Sequence, residues 1–242
     1  MQFFSRRYFI LLLISGMLLA QCASSDSTTT DAKQSPDTIM LDTIAAFPVM
    51  EEPAPPIPDY DTLEWTDIHL LDESIAIDMR YATVNNFVEE KMYECGRCFL
   101  RPEVAQKIVK VHKILQDKGL GLKMFDCYRP RPIQWKLWEK VPDKRYVSDP
   151  RKGSMHNRGA AVDLTIVDAK GEQLNMGTTY DFFGPEAWST YENLPDSVLA
   201  NRRLLKGLLE AEGFAGIRTE WWHFSYPGKG YALSDMLWNC EE

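Results

Sequence analysis

The stretch Ser154-Met155-His156-Asn157-Arg158-Gly159-Ala160-Ala161-Val162-Asp163 begins polar, passes through three small residues and enters the apolar run Val162 to Val167. That run is short and rich in branched side chains. Asp168-Ala169-Lys170-Gly171 follows it, so it reads as a strand ending in a hairpin-like turn. Working outward, Arg101-Pro102-Glu103 opens a helical pattern with Val104, Ile108, Val111 and Leu115 on one face, ended by Lys118-Gly119. Leu122 to Tyr128 reads as a buried strand stopped by Arg129-Pro130-Arg131-Pro132, and Ile133 to Lys140 as a short helix. On the other side, Asp196 caps a helix running through Leu199, Leu204, Leu205, Leu208 and Leu209, with Gly213 as its stop. Ile217 to Tyr226 reads as a closing strand. Strands and helices mix without regular alternation and without repeats. The expectation is an α+β domain, a small and mainly antiparallel sheet flanked by helices.

Two of the four histidines sit in chemically rich company. His156 lies in the opening stretch, and His223 lies in Glu220-Trp221-Trp222-His223-Phe224. Two neutral imidazoles and one carboxylate form a three-ligand set for zinc with the fourth position open, so His156, Asp163 and His223 are the candidate ligands. Bound zinc brings the pKa of its water toward neutrality, and a nearby carboxylate can take the proton. Glu220 is the candidate base. One geometric problem stands in the way. Positions three apart in a regular strand point to opposite faces, so Glu220 and His223 converge only where the strand bulges, twists or ends. Each residue also has a plainer reading: Glu220 and Asp163 as ion-pair partners, Trp221 and Trp222 as packing. His69 and His112, which lack such company, read as ordinary core or surface histidines.

The chain has 242 residues, with 27 basic and 35 acidic side chains and a net charge of −8. With 45% hydrophobic residues it is globular, and its acidity argues against nucleic-acid binding, which depends on neutralising phosphates. The N-terminus carries its own message. Arg6 and Arg7 precede an apolar run from Tyr8 to Ala20, too short for a comfortable membrane span and suited to an export signal over residues 1–21. Leu19-Ala20-Gln21-Cys22 resembles a bacterial lipoprotein signal, with Cys22 as the lipidated residue, although Gln21 stands where a small residue is usual. A polar tract and Pro53-Ala54-Pro55-Pro56-Ile57-Pro58 make residues 22–59 a tether to the membrane, and the compact domain is expected over residues 60–242. Cys95, Cys98, Cys127 and Cys240 suit an exported protein with disulfides, in any of three pairings. Free thiols and a metal knuckle at Cys95-Gly96-Arg97-Cys98 are the alternatives.

Ser154-x-His156-x-x-Gly159-x-Ala161-x-Asp163 followed by Glu220-x-Trp222-His223 resembles the paired signature of zinc D,D-peptidases of bacterial cell walls. Within that group the chain is most similar to D-alanyl-D-alanine dipeptidases of the VanX type. Met79 to Phe87, Asp126-Cys127-Tyr128-Arg129-Pro130, Met176 to Phe183 and Asn201-Arg202-Arg203-Leu204-Leu205 carry the likeness across the domain. The resemblance implies one zinc ion on His156, Asp163 and His223, with Glu220 as general base and acid. It implies Arg129 as the group that stabilises the transition state, since a fixed guanidinium favours a developing oxyanion. Tyr81, Asp126, Ser154 and Asp181 match positions around the dipeptide, with Asp181 and Asp126 suited to its ammonium. The implied reaction is hydrolysis of D-Ala-D-Ala to two D-alanines. The alternatives are a D,D-carboxypeptidase or endopeptidase on longer stem peptides, and a non-catalytic envelope protein that binds zinc or wall peptides. The export signal and the cysteines, with Cys127 standing where glycine is common, place the protein in the cell envelope. They favour turnover of released fragments over a role in antibiotic resistance.

Overall fold

The computed structural model describes residues 57–240. The expected export signal, the lipidation expected at Cys22 and the expected tether up to residue 56 lie outside them. Asp59, read as the tether's last residue, pairs with Arg97 at 2.8 Å and accepts from the Asn239 amide at 3.1 Å.

The elements run β1 (Thr66–Asp67), α1 (Ile68–Leu71), β2 (Ala76–Ile77), β3 (Phe99–Leu100), α2 (Pro102–Gln116), β4 (Leu120–Asp126), α3 (Arg131–Lys140), β5 (Ala161–Asp168), α4 (Asp196–Ala211), β6 (Ala215–Gly216) and β7 (His223–Ser225). β1 and β3 form a small antiparallel pair, and the main sheet has the order β2-β4-β5-β7-β6. Only the β2–β4 pairing in the main sheet is parallel. The α+β expectation therefore holds, including the mainly antiparallel sheet.

α2 forms for the reasons its sequence supplies. Pro102 occupies the first turn, where its missing N–H costs nothing, and Val104, Ile108, Val111 and Leu115 are fully buried in the core. α4 starts one residue earlier than the capping reading required. Pro195 is its N-cap and Asp196 its first helical residue. Its stop is as expected: Gly213 N–H donates to Glu210 at 3.0 Å and Phe214 N–H to Leu209 at 3.1 Å, the bond pair of a left-handed C-terminal turn.

Two strand readings need correction. β4 begins two residues early and ends at Asp126, because its register against β5 shifts between Met124 and Asp126. That irregularity releases Cys127 to Pro130 from the ladder. The closing strand is broken: residues 217–222 leave the sheet as a loop, and β7 starts only at His223.

The cysteines pair as Cys95–Cys240 and Cys98–Cys127, so the knuckle reading is wrong. Cys95 and Cys98 point to different partners, one at the chain's end and one beside β4. His112 is a satisfied core histidine. Its Nδ1 accepts the Leu122 amide at 3.0 Å and its Nε2 meets Ser74 Oγ at 3.0 Å. His69 is exposed on α1.

Candidate active site

Three adjacent strands set one row of side chains across the sheet. Asp126 on β4 is in register with Asp163 on β5, and Asp163 is in register with His223 on β7. Register partners point to the same face, so β5 and β7 deliver a carboxylate and an imidazole side by side. His156 arrives from outside the sheet, on a single helical turn (His156–Arg158) that ends at Gly159 with φ 66°. A Cβ at Gly159 would stand 2.4 Å from the Trp65 ring, so the left-handed turn and the close packing both require glycine here.

The three predicted ligands meet. His156 Nε2 lies 3.1 Å from His223 Nδ1 and 3.4 Å from Asp163 Oδ1, and His223 Nδ1 lies 2.9 Å from Asp163 Oδ1. Zinc bonds of 2.0–2.1 Å arranged tetrahedrally put ligand atoms about 3.3 Å apart. The donor set fits. The opposite nitrogens are also engaged: His156 Nδ1 faces the Cys127 carbonyl at 2.7 Å, and His223 Nε2 faces Ser225 Oγ at 2.9 Å. With N–H groups donating there, two imidazole lone pairs and a carboxylate oxygen face one another, an arrangement that calls for a cation. Asp163's second oxygen accepts from Tyr180 OH at 3.0 Å. Burial alone would raise the Asp163 pKa, but the facing His156 and His223 hold it well below the usual carboxylate range.

Glu220 sits in the loop before β7, which removes the strand-alternation problem. It lines the same cleft as the three ligands, a space of about 510 Å³. Among the described residues its carboxylate makes no hydrogen bond or ion pair. Burial pushes its pKa up, with His223 pulling the other way.

Arg129 is held from several sides. Its Nε and Nη2 donate to Asp126 Oδ2 at 3.0 and 2.5 Å, and Nη1 donates to Gln134 at 3.0 Å. Its guanidinium lies 4.8 Å from the centre of the Tyr81 ring. Its own amide donates to the His156 carbonyl at 3.1 Å, and Asn157 donates to its carbonyl at 2.7 Å, so the arginine and the His156 turn are one unit. Burial opposes the charge, but Asp126 holds the guanidinium pKa well above its ordinary value.

The substrate-facing residues divide. Tyr81, Ser154 and Asp181 line the cleft. Asp181 takes a left-handed backbone, φ 57°, and accepts one long bond of 3.4 Å from Tyr81 OH. Burial, with Asp163 nearby, pushes its carboxyl well up. Ser154 is bound into its turn through Asn157, amide to side chain at 2.8 Å. Asp126 does not face the cleft. It is fully buried, with one oxygen taken by Tyr93 OH at 2.9 Å and the other by Arg129. The expectation that it meets the substrate ammonium is corrected: Tyr93 and the Arg129 guanidinium take both of its oxygens and close it off from the cleft.

Sequence reasoning missed Tyr180, Ser225, Tyr93 and Gln134. Tyr180 stands in a segment already singled out, and Ser225 follows His223 by two residues on β7, on the same face. Tyr93 and Gln134 carried no local signal.

The D-Ala-D-Ala dipeptidase model of the peptidase M15 family matches residues 61–239. The chain belongs to that family. Membership makes it a zinc metallopeptidase, in keeping with the ligand set. Among M15 relatives, the D-alanyl-D-alanine dipeptidase of Escherichia coli is 36% identical over 181 residues, covering 74% of this chain and 94% of that protein. The Streptomyces coelicolor dipeptidase is 31% identical over 186 residues, covering 66% and 91%. The Enterococcus faecium dipeptidase is 29% identical over 178 residues, covering 65% and 88%.

Proposed function

We propose that this M15 peptidase hydrolyses the free dipeptide D-Ala-D-Ala to two D-alanines, with one zinc ion held by His156, Asp163 and His223. When bound, zinc acidifies a water and polarises the scissile carbonyl. Glu220, raised in pKa and without a partner among the described residues, takes the proton of the attacking water and delivers it to the leaving amine. Arg129, with two of its five N–H donors unspent, turns them to the oxyanion that forms at the carbonyl. Tyr81 and Ser154 offer hydroxyls to the dipeptide backbone.

The observation that carries this reading is Asp181. A half-buried carboxylate with one long hydrogen bond, lining the cleft with Glu220, is suited to a free ammonium one residue from the scissile bond. An acylated amine would bring no charge to meet it. Export to the envelope, through residues 1–21 and lipidation at Cys22, belongs to the same reading. Two disulfides support an oxidising compartment.

The cleft volume favours one second reading. About 510 Å³ is in the range that holds drug-sized ligands, so a stem peptide ending in D-Ala-D-Ala is the competing substrate. D-alanine release from the zinc-loaded chain separates the two. Cleavage of D-Ala-D-Ala well ahead of a stem pentapeptide and of L-Ala-L-Ala is expected, and preference for the pentapeptide would replace the dipeptidase with a carboxypeptidase.

A further inference from the structure

The segment from Gly177 to Pro185 is almost entirely irregular chain and carries two residues of the site, Tyr180 against the ligand Asp163 and Asp181 in the cleft. Both ends of this loop converge on one side chain. Arg202 on α4 donates through Nε to the Met176 carbonyl at 2.7 Å, through Nη2 to Glu186 at 2.8 Å and through Nη1 to Trp188 at 3.2 Å. The first carbonyl precedes the loop and the other two follow it. Arg202 is buried, and no carboxylate pairs with it among the described residues. A buried guanidinium spent on three backbone carbonyls is costly, and its return is geometric. Its N–H groups fan out in one plane and can hold several separate acceptors at once, which an ammonium on one nitrogen does poorly.

Neighbouring contacts extend the clasp. Trp221, next to Glu220, donates from Nε1 to Thr178 Oγ1 at 2.8 Å, and the Arg202 guanidinium lies 5.8 Å from the Trp221 ring centre. Ser189 N–H, just past the loop, donates to the Arg218 carbonyl at 2.8 Å, tying it to the strand of chain that leads to Glu220. Gly177, at φ 87°, stands at the neck in close quarters: a Cβ there would lie 3.0 Å from Val198, 3.1 Å from Leu194 and 3.3 Å from Arg202 Nη2.

We propose that Arg202 is a positioning residue that closes the neck of the Gly177–Pro185 loop, thereby setting Asp181 for the substrate ammonium and Tyr180 for the metal ligand Asp163. The inference deepens the dipeptidase reading and rests on it for the role of Asp181. It absorbs the Asn201-Arg202-Arg203 segment, to which the chemistry above gives no part.

The test uses the zinc-loaded full chain and the variants Arg202→Lys and Gly177→Ala, with Arg203→Met as the control. In both neck variants, amide exchange over residues 177–185 should quicken about tenfold, the equivalent of one charged hydrogen bond, while β4 and β5 amides keep their rates. Zinc affinity, read by chelator competition, should fall about tenfold through loss of the Tyr180 support. At saturating zinc, KM for D-Ala-D-Ala should rise about tenfold with kcat nearly held, since Asp181 contacts substrate and transition state alike. Arg203→Met should match the wild type in all three. Should Arg202→Lys fail to fold, Gly177→Ala carries the same readouts. Unchanged exchange in the loop, or equal acceleration across β4 and β5, overturns the clasp. If the wild type does not turn over the dipeptide, the functional reading fails, while exchange and zinc affinity still decide the role of Arg202.

Discussion

His223 Nδ1 lies 2.9 Å from Asp163 Oδ1 because the two residues are register partners on adjacent antiparallel strands. The candidate metal site is thus built partly into the sheet ladder, and of its three residues only His156 depends on a loop. Ladder pairing also explains why His223 presents Nδ1 inward: its Nε2 is turned along β7 to Ser225 Oγ at 2.9 Å.

Ser225→Ala removes that outer partner without touching a ligand atom. Zinc affinity should fall about 10- to 100-fold as the His223 ring loses its preferred tautomer and orientation. Chelator competition on the purified chain reads this directly, and unchanged affinity would show that the ladder alone orients His223.

Glu220→Gln keeps shape and hydrogen-bonding capacity but cannot take a proton. The variant should retain stoichiometric zinc while turnover drops by about 10² to 10⁴. Metal analysis after dialysis, paired with D-alanine release, checks both halves. Full activity in this variant would remove Glu220 from the mechanism.

Asp126→Asn distinguishes the two roles this residue has been given. As the anchor of Arg129, its loss should lower kcat by about 10² to 10³, the size of a lost oxyanion contact, with KM less affected. A role at the substrate ammonium would instead raise KM and leave kcat in place.

His112 makes stability depend on pH. Burial lowers its pKa below the ordinary 6.5, although Asp72 pulls it upward, and its Nδ1 must stay unprotonated to accept the Leu122 amide. The unfolded chain therefore binds the proton more readily. The stabilisation is complete above about pH 6.5 and is lost as pH falls from there through the folded-state value. Denaturant titrations near neutrality and near pH 5 should show a loss of about 1 kcal/mol in the wild type that His112→Gln does not share.

Much of this was legible in residue order because it is local. Pro102 and the buried face from Val104 to Leu115 specify α2 through helical spacing alone. Gly213 stops α4, and Asp168 to Gly171 turns β5 back on itself, for backbone reasons carried by those few residues. The candidate ligands His156, Asp163 and His223, and the candidate base Glu220, were readable from residue type, and the fold brings them to one cleft.

What sequence order left open was settled by contacts between distant segments. Whether Glu220 and His223 could share a site depended on where pairing with β5 begins, and pairing starts at His223. Asp126 and Asp181 are both carboxylates near the site. Tyr93 and Arg129 take the oxygens of Asp126, while Asp181, left-handed at φ 57°, lines the cleft. The disulfide pairing depended on which Cα atoms approach to within 5.3 and 5.7 Å. Side-chain chemistry travels with the residue, so sequence alone determined which reactions were available. Direction and distance arise only when separate strands pair and pack, so the tertiary structure decided which carboxylate holds the arginine and which is left lining the cleft.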